Sequence, residues 1–206
     1  MNTPVNNKPG DNKPDSFSFS PENVEQIKEI VAKYPEGKQA SACMPLLDLA
    51  QRQNDGWISV PVMDHIAEVL DMIPMQVYEV ATFYTMYNLK PIGKHHVQVC
   101  TNLPCWLRGS NEIAAACKRV TGADFGTTSD DGMFTMTETE CLGACVNAPM
   151  MQIGDDFFED LTAENVETIL TTLRNGGIAT PGPQNGRHGS EPAGGLTSLK
   201  GKGEDA

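Results

Sequence analysis

The sequence predicts an α+β protein: an N-terminal helical bundle, then a small α/β layer, with a flexible arm before them and an extended tail behind. Three observations carry this expectation. Between residues 19 and 90, apolar side chains recur at helical spacing in four stretches joined by short loops. After Gly93 the spacing becomes alternating, with His95, Val97 and Val99 on one face, the period of a half-buried strand. Both ends are rich in Pro, Gly, Asn and charged residues, and neither can bury enough apolar surface to hold itself together.

The elements follow in order. Residues 1–18 are the expected arm. In the bundle, residues 19–90, Ser20 can cap the first helix, with Pro21 in its first position and Glu22 near its positive end. Phe19 and Val24 have the spacing of a hydrophobic staple. Val24, Ile27, Ile30, Val31 and Tyr34 form the apolar face, and Pro35 and Gly37 end it. The second helix carries Leu46, Leu47, Leu49 and Ala50, with Pro45 bending its start. A third begins near Pro61 and carries Ile66, Val69 and Leu70; a fourth begins near Pro74 and carries Val77, Val80, Ala81 and Phe83.

The α/β layer spans residues 91–177. Its first strand leads to Cys100. Ser110 is the expected cap of a helix that places Ile113, Ala116, Cys117 and Val120 on one face and ends at Gly122. A strand follows near Phe134–Thr137, and a pair of strands flanks the turn Gly154-Asp155. Thr162 can cap a final helix with Val166, Ile169, Leu170 and Leu173 inward and Leu161 stapled onto Val166. Residues 178–206 read as a tail without a core, disordered or laid across a partner.

Length and charge exclude several functions. A chain of 206 residues suits one domain with a small helical companion. Fifteen basic against 27 acidic residues give a net charge of −12, which repels phosphate backbones. The third and fourth helices could pass for a helix-turn-helix, but the charge argues against any nucleic-acid partner. No apolar run approaches the roughly 20 residues of a membrane span. The first residues have neither the apolar core of a signal peptide nor the Arg-rich character of a transit peptide, so the chain is expected to act where it is made or in trimmed form.

Six cysteines are present, and four fall in two close pairs: Cys100 with Cys105, and Cys141 with Cys145. Both pairs follow a predicted strand, in loops stiffened by Pro104 and Pro149 and loosened by Gly143. In a reducing compartment such clusters do metal or redox work rather than form disulfides. Four thiolates can hold a [2Fe–2S] cluster or a structural zinc ion, and the four-residue gap of the first pair is more usual for iron–sulfur loops. Cys117, on an apolar helix face, and Cys43, at a helix start, read as packing residues. His95 and His96 are neighbours on a strand and face opposite ways, so at most one could lie near the site. His65 belongs to a helix surface and His188 to the tail. No Gly-rich phosphate loop is present to hold a nucleotide.

The stretches YEVATFYTMYNLKPIGKHHVQVCTNLPCWLRGS and ETECLGACVNAPMMQIGDDFFEDLT resemble the 24 kDa-type [2Fe–2S] subunits of NADH:quinone oxidoreductase, respiratory complex I. PENVEQIKEIVAKYPEGKQASACMPLLDLAQRQNDGW and the tail motif EPAGGLTSL share the likeness, which covers nearly all of residues 18–198. The resemblance implies a thioredoxin-like domain behind the bundle and one [2Fe–2S] cluster ligated by Cys100, Cys105, Cys141 and Cys145. It implies two partners: a flavoprotein subunit that binds FMN, NADH and a [4Fe–4S] cluster, and the large iron–sulfur subunit. The chain would exchange single electrons with the FMN and be an enzyme only as part of the complex. It would sit peripherally on the cytoplasmic side of a bacterial inner membrane, or on the matrix side in a mitochondrion. The motif ECLGACVNAP is shared with subunits of NAD-linked hydrogenases and formate dehydrogenases. That leaves such a complex as the alternative, beside a zinc-stabilised structural module.

Overall fold

A computed structural model describes residues 16–192, 194, 195, 197 and 198. The expected arm lies almost wholly outside the described residues, as does the end of the tail. The described residues divide into two compact units, one ending at Ile92 and the other beginning at Gly93.

Among the described residues the first unit is four helices: α1 (Pro21–Val31), α2 (Cys43–Gln53), α3 (Val60–Leu70) and α4 (Pro74–Phe83), with a 3₁₀ turn (Gln39–Ala42) ahead of α2. Ser20 caps α1 as its sequence requires, its hydroxyl accepting from the Asn23 amide at 3.2 Å. Pro45 falls in the first turn of α2, where its missing N–H costs little. Leu46, Leu47, Ala50, Val62, Ile66 and Val77 are fully buried at the centre. Three expectations fail here. Phe19 does not lie under a buried Val24, which is exposed; its ring meets Phe17 at 5.1 Å and His65 at 5.5 Å. Val69 and Phe83 also face out, since Val62, Met63 and Ala67 already fill the inner face of α3 and Val77 and Ala81 that of α4.

The second unit is a six-stranded mixed sheet of order β2-β3-β1-β4-β5-β6. The chain runs β1 (His95–Cys100), α5 (Leu103–Leu107), α6 (Ser110–Thr121), β2 (Thr127–Thr128), β3 (Phe134–Thr139), β4 (Met151–Ile153), β5 (Asp156–Glu159), α7 (Ala163–Arg174) and β6 (Gly182–Pro183). Central β1 pairs parallel with β3, Cys100 opposite Thr139, and antiparallel with β4. Val97, Val99, Met136, Met151 and Ile153 bury one face against Ile113, Ala116 and Cys117 of α6 and Val166, Ile169 and Leu170 of α7. Thr162 caps α7 in a reciprocal box with Asn165, and Leu161 and Val166 share the core.

Two local readings are corrected. The residue before α6 is Gly109, at φ +97°, and Ser110 is its first helical residue, with a buried hydroxyl that caps nothing. The described part of the segment after Ile178 is held to the sheet: β6 pairs with β5, Phe158 opposite Gly182, and Ala179 is buried. Gly93 enters the unit under steric constraint. A Cβ there would lie 2.9 Å from the Gly132 carbonyl oxygen and 3.0 Å from the Phe134 nitrogen.

Candidate iron–sulfur site

Cys100 is the last residue of β1, so the sheet fixes its position; its amide donates to the Met150 carbonyl at 3.2 Å. The chain then turns into α5. Asn102 caps that helix, its side chain accepting from the Leu103 amide at 2.7 Å, and Pro104 sits in the first turn. Cys105 is therefore on a short helix and not, as the spacing suggested, in an open loop. Asn-Leu-Pro is a cap followed by a helix-starting proline, the signal that could have revealed it.

The second pair lies beyond the end of β3. Gly143 adopts φ +81° and its amide donates to the Cys141 sulfur at 3.4 Å. Nothing would crowd a Cβ there, so glycine is required by backbone conformation rather than by close approach. Cys145 opens a 3₁₀ turn, Cys145–Asn147.

The four thiols converge. Cys100 and Cys105 are buried beside Ala148 and Met150, with Leu142, Ala144 and Phe157 packed around them. Cys141 and Cys145 are exposed. Burial pushes the Cys105 thiol up to about 12, with the neighbouring Cys100 thiol adding to the rise through a hydrogen bond and its charge. A backbone hydrogen bond from Met150 opposes the rise, and Cys145 adds to it. Cys145 is likewise raised, by desolvation first, then by the charge and hydrogen bond of Cys141 and the charge of Cys100. The two thiol pairs thus feel one another. Four thiolates cannot share this space unless metal charge offsets their repulsion.

Four thiols near one another could hold a structural zinc ion or a binuclear cluster. Two separate pairs suit a binuclear cluster, one pair per iron. The remaining cysteines lie apart from the site. Cys117 is fully buried among the residues of the sheet unit, and burial pushes its thiol up to about 12; Cys43 is buried in the helical unit and also raised. His96 bonds Thr137 at 2.9 Å and His95 stacks toward Phe134, both at the end of β1 away from Cys100.

With a mixed sheet backed by two helices and a pair of thiol pairs at one end, the protein is of the ferredoxin class. The chain belongs to the thioredoxin-like [2Fe–2S] ferredoxin family, whose sequence pattern it matches over residues 27–174, and it carries one [2Fe–2S] cluster. It is 51% identical over 175 residues to a subunit of the NADH-quinone oxidoreductase of Rickettsia bellii, covering 85% of this chain and 99% of that one. It is also 51% identical over 183 residues to the mitochondrial NADH dehydrogenase [ubiquinone] flavoprotein 2 of Dictyostelium discoideum, covering 89% of this chain and 74% of that one. Among solved structures, an air-oxidised NAD⁺-reducing [NiFe]-hydrogenase aligns with TM-score 0.57 at 14% identity, a likeness of fold. That alignment covers 66% of this chain and 23% of the hydrogenase chain.

Proposed function

We propose that Cys100, Cys105, Cys141 and Cys145 hold the cluster, and that the chain is the electron-carrying subunit of the NADH-oxidising part of an NADH:quinone oxidoreductase. The observation that carries this is the convergence of two thiol pairs, one from the end of β1 and α5, the other from beyond β3. When bound, the cluster takes up and returns single electrons. The chain supplies the cradle: apolar packing around Cys100 and Cys105, and the Gly143 amide toward Cys141.

The surroundings of the thiols suit a protein partner. Leu103, Trp106 and Leu107 on α5 are 60%, 53% and 69% exposed, and Val146, next to Cys145, is 70% exposed. Apolar side chains gathered beside a redox site mark a docking surface. The flavoprotein subunit with its FMN is the partner we assign to it; the large iron–sulfur subunit is the second partner in the complex. Hydride leaves NADH as a two-electron unit, and a flavin can accept it and release single electrons. Among the described residues no helix is long and apolar enough to cross a membrane, which suits a peripheral subunit. We place it on the cytoplasmic side of a bacterial inner membrane or the matrix side of a mitochondrial one.

The test is twofold. The iron-replete chain should bind two irons, and Ala at any of the four cysteines should abolish or distort the visible spectrum. NADH added to the chain alone should be unreactive; with the flavoprotein subunit present, the cluster absorbance should bleach. A Cys145→Ala variant with an intact wild-type cluster, or NADH oxidation by the flavin-free chain, would refute the assignment.

A further inference from the structure

We propose that Arg187 is a positioning residue for the cluster: through it the C-terminal segment locks the backbone that follows Cys145 and so sets where that thiolate points. This rests on the reading above that Cys141 and Cys145 are ligands.

Arg187 and Asp160 form an ion pair whose side chains are only 8% and 9% exposed. The guanidinium is used on every nitrogen. Its Nε donates to Asp160 Oδ2 at 2.7 Å and its Nη2 to Asp160 Oδ1 at 2.6 Å, a bidentate fork. Nη1 donates to the Glu191 carbonyl at 3.0 Å, and Nη2 also donates to the Val146 carbonyl at 2.9 Å. Val146 is the residue after Cys145. Its own side chain is 70% exposed, so side-chain packing does not hold this residue and its carbonyl is the point of attachment next to Cys145.

The neighbouring bonds act on the same turn. The Asn147 carbonyl accepts from the Asp160 amide at 2.7 Å. Asn147 Nδ2 donates to Glu159 Oε2 at 2.8 Å and to the Gly189 carbonyl at 3.1 Å. Asp160 sits at φ +52°, a conformation costly for a residue with a Cβ, and its carboxylate is the one that takes the fork. Three stretches thus meet at one point, residues 145–147, 159–160 and 187–191.

The segment does not need Arg187 merely to stay attached. Backbone pairing of Gly182 and Pro183 with β5, and the Gln184 amide on the Glu159 carbonyl at 2.9 Å, already bind it to the sheet. What Arg187 adds is the bond to the ligand's neighbour. Cys145 is exposed, so apolar packing does not orient it and its direction follows from the backbone.

The experiment uses the cluster-loaded chain as wild type, Arg187→Lys, Arg187→Ala and Cys145→Ala. The readouts are visible circular dichroism of the oxidised cluster, the paramagnetic resonance of the reduced one, iron release to a chelator, and the melting temperature. Lysine keeps the charge but cannot fork onto Asp160 and reach the Val146 carbonyl together. Positioning therefore predicts that Arg187→Lys alters the dichroism and resonance line shape and speeds iron release at least about tenfold, with Arg187→Ala going further. Wild-type spectra and release rates in the arginine variants, even with a lowered melting temperature, would overturn the proposal and leave a structural clamp only. Full restoration by lysine of what alanine changes would assign Arg187 a charge effect and also overturn it. If Arg187→Ala fails to fold, Arg187→Lys decides alone. A wild-type cluster in Cys145→Ala would instead strike the ligand assignment beneath.

Discussion

His96 makes the sheet unit sensitive to acid, and the size of the effect follows from its surroundings. The ring is partly buried on β1 and bonded to Thr137, and burial lowers its pKa to about 4. In an unfolded chain the ring titrates near about 6.5. Between those values the unfolded chain binds a proton that the folded one refuses, so stability rises with pH. The contribution is fully present above about pH 6.5 and is withdrawn as pH falls toward about 4. Each pH unit of that interval is worth about 1.4 kcal/mol, so the whole interval withdraws at most about 3 kcal/mol, and about 2 kcal/mol by pH 5. The perturbation is His96→Gln, which can still bond Thr137 but cannot titrate. Urea denaturation of both proteins, followed by far-ultraviolet circular dichroism near pH 7.5 and near pH 5, isolates the term, because carboxylates and His95 contribute equally to both. The wild type should lose about 2 kcal/mol more than the variant. Equal losses would refute the reasoning and return the acid sensitivity to other groups.

Three further outcomes are expected. Gly93→Ala should destabilise by about 1–3 kcal/mol, because its Cβ meets backbone that cannot swing aside; an unchanged urea midpoint would show that the β3 entry moves after all. Cys117→Ala should cost about 1 kcal/mol and Cys43→Ala a similar amount, both with the cluster spectrum intact; loss of the cluster in either would bring an unassigned thiol into the site. Glu140→Gln should raise the cluster's midpoint potential slightly, since an exposed carboxylate beside Cys141 disfavours added negative charge through a well-screened field. A redox titration showing no change, or a fall, would remove that carboxylate from the account.

Much of this protein is legible in its local sequence. Ser20 and Thr162 announce the starts of α1 and α7 because a cap is a contact three residues long. The apolar face of α6 places Cys117 in the core, apart from the paired thiols, and helical periodicity is enough to say so. Cys100 and Cys105, and Cys141 and Cys145, are visible as pairs from spacing alone. That the two pairs come near one another is decided by the parallel pairing of β1 with β3. Cys100 faces Thr139 there, which carries the end of β3 and the loop beyond it to the first pair.

What the sequence hides is what depends on partners far along the chain. Val69 and Phe83 obey helical spacing and still face outward, because the inner faces of α3 and α4 are already filled by Val62, Met63, Val77 and Ala81. β6 is two residues, Gly182 and Pro183, with no pattern to read; its pairing rests on β5 and on backbone groups that almost every residue has. Arg187 looks like any tail arginine until Asp160, 27 residues earlier, is brought beneath it and most of both side chains is covered. Local energies write the helices, caps and thiol pairs into the sequence. A buried ion pair or a short edge strand is favourable only once the rest of the fold has removed the solvent and supplied the partner, so only the tertiary structure decides them.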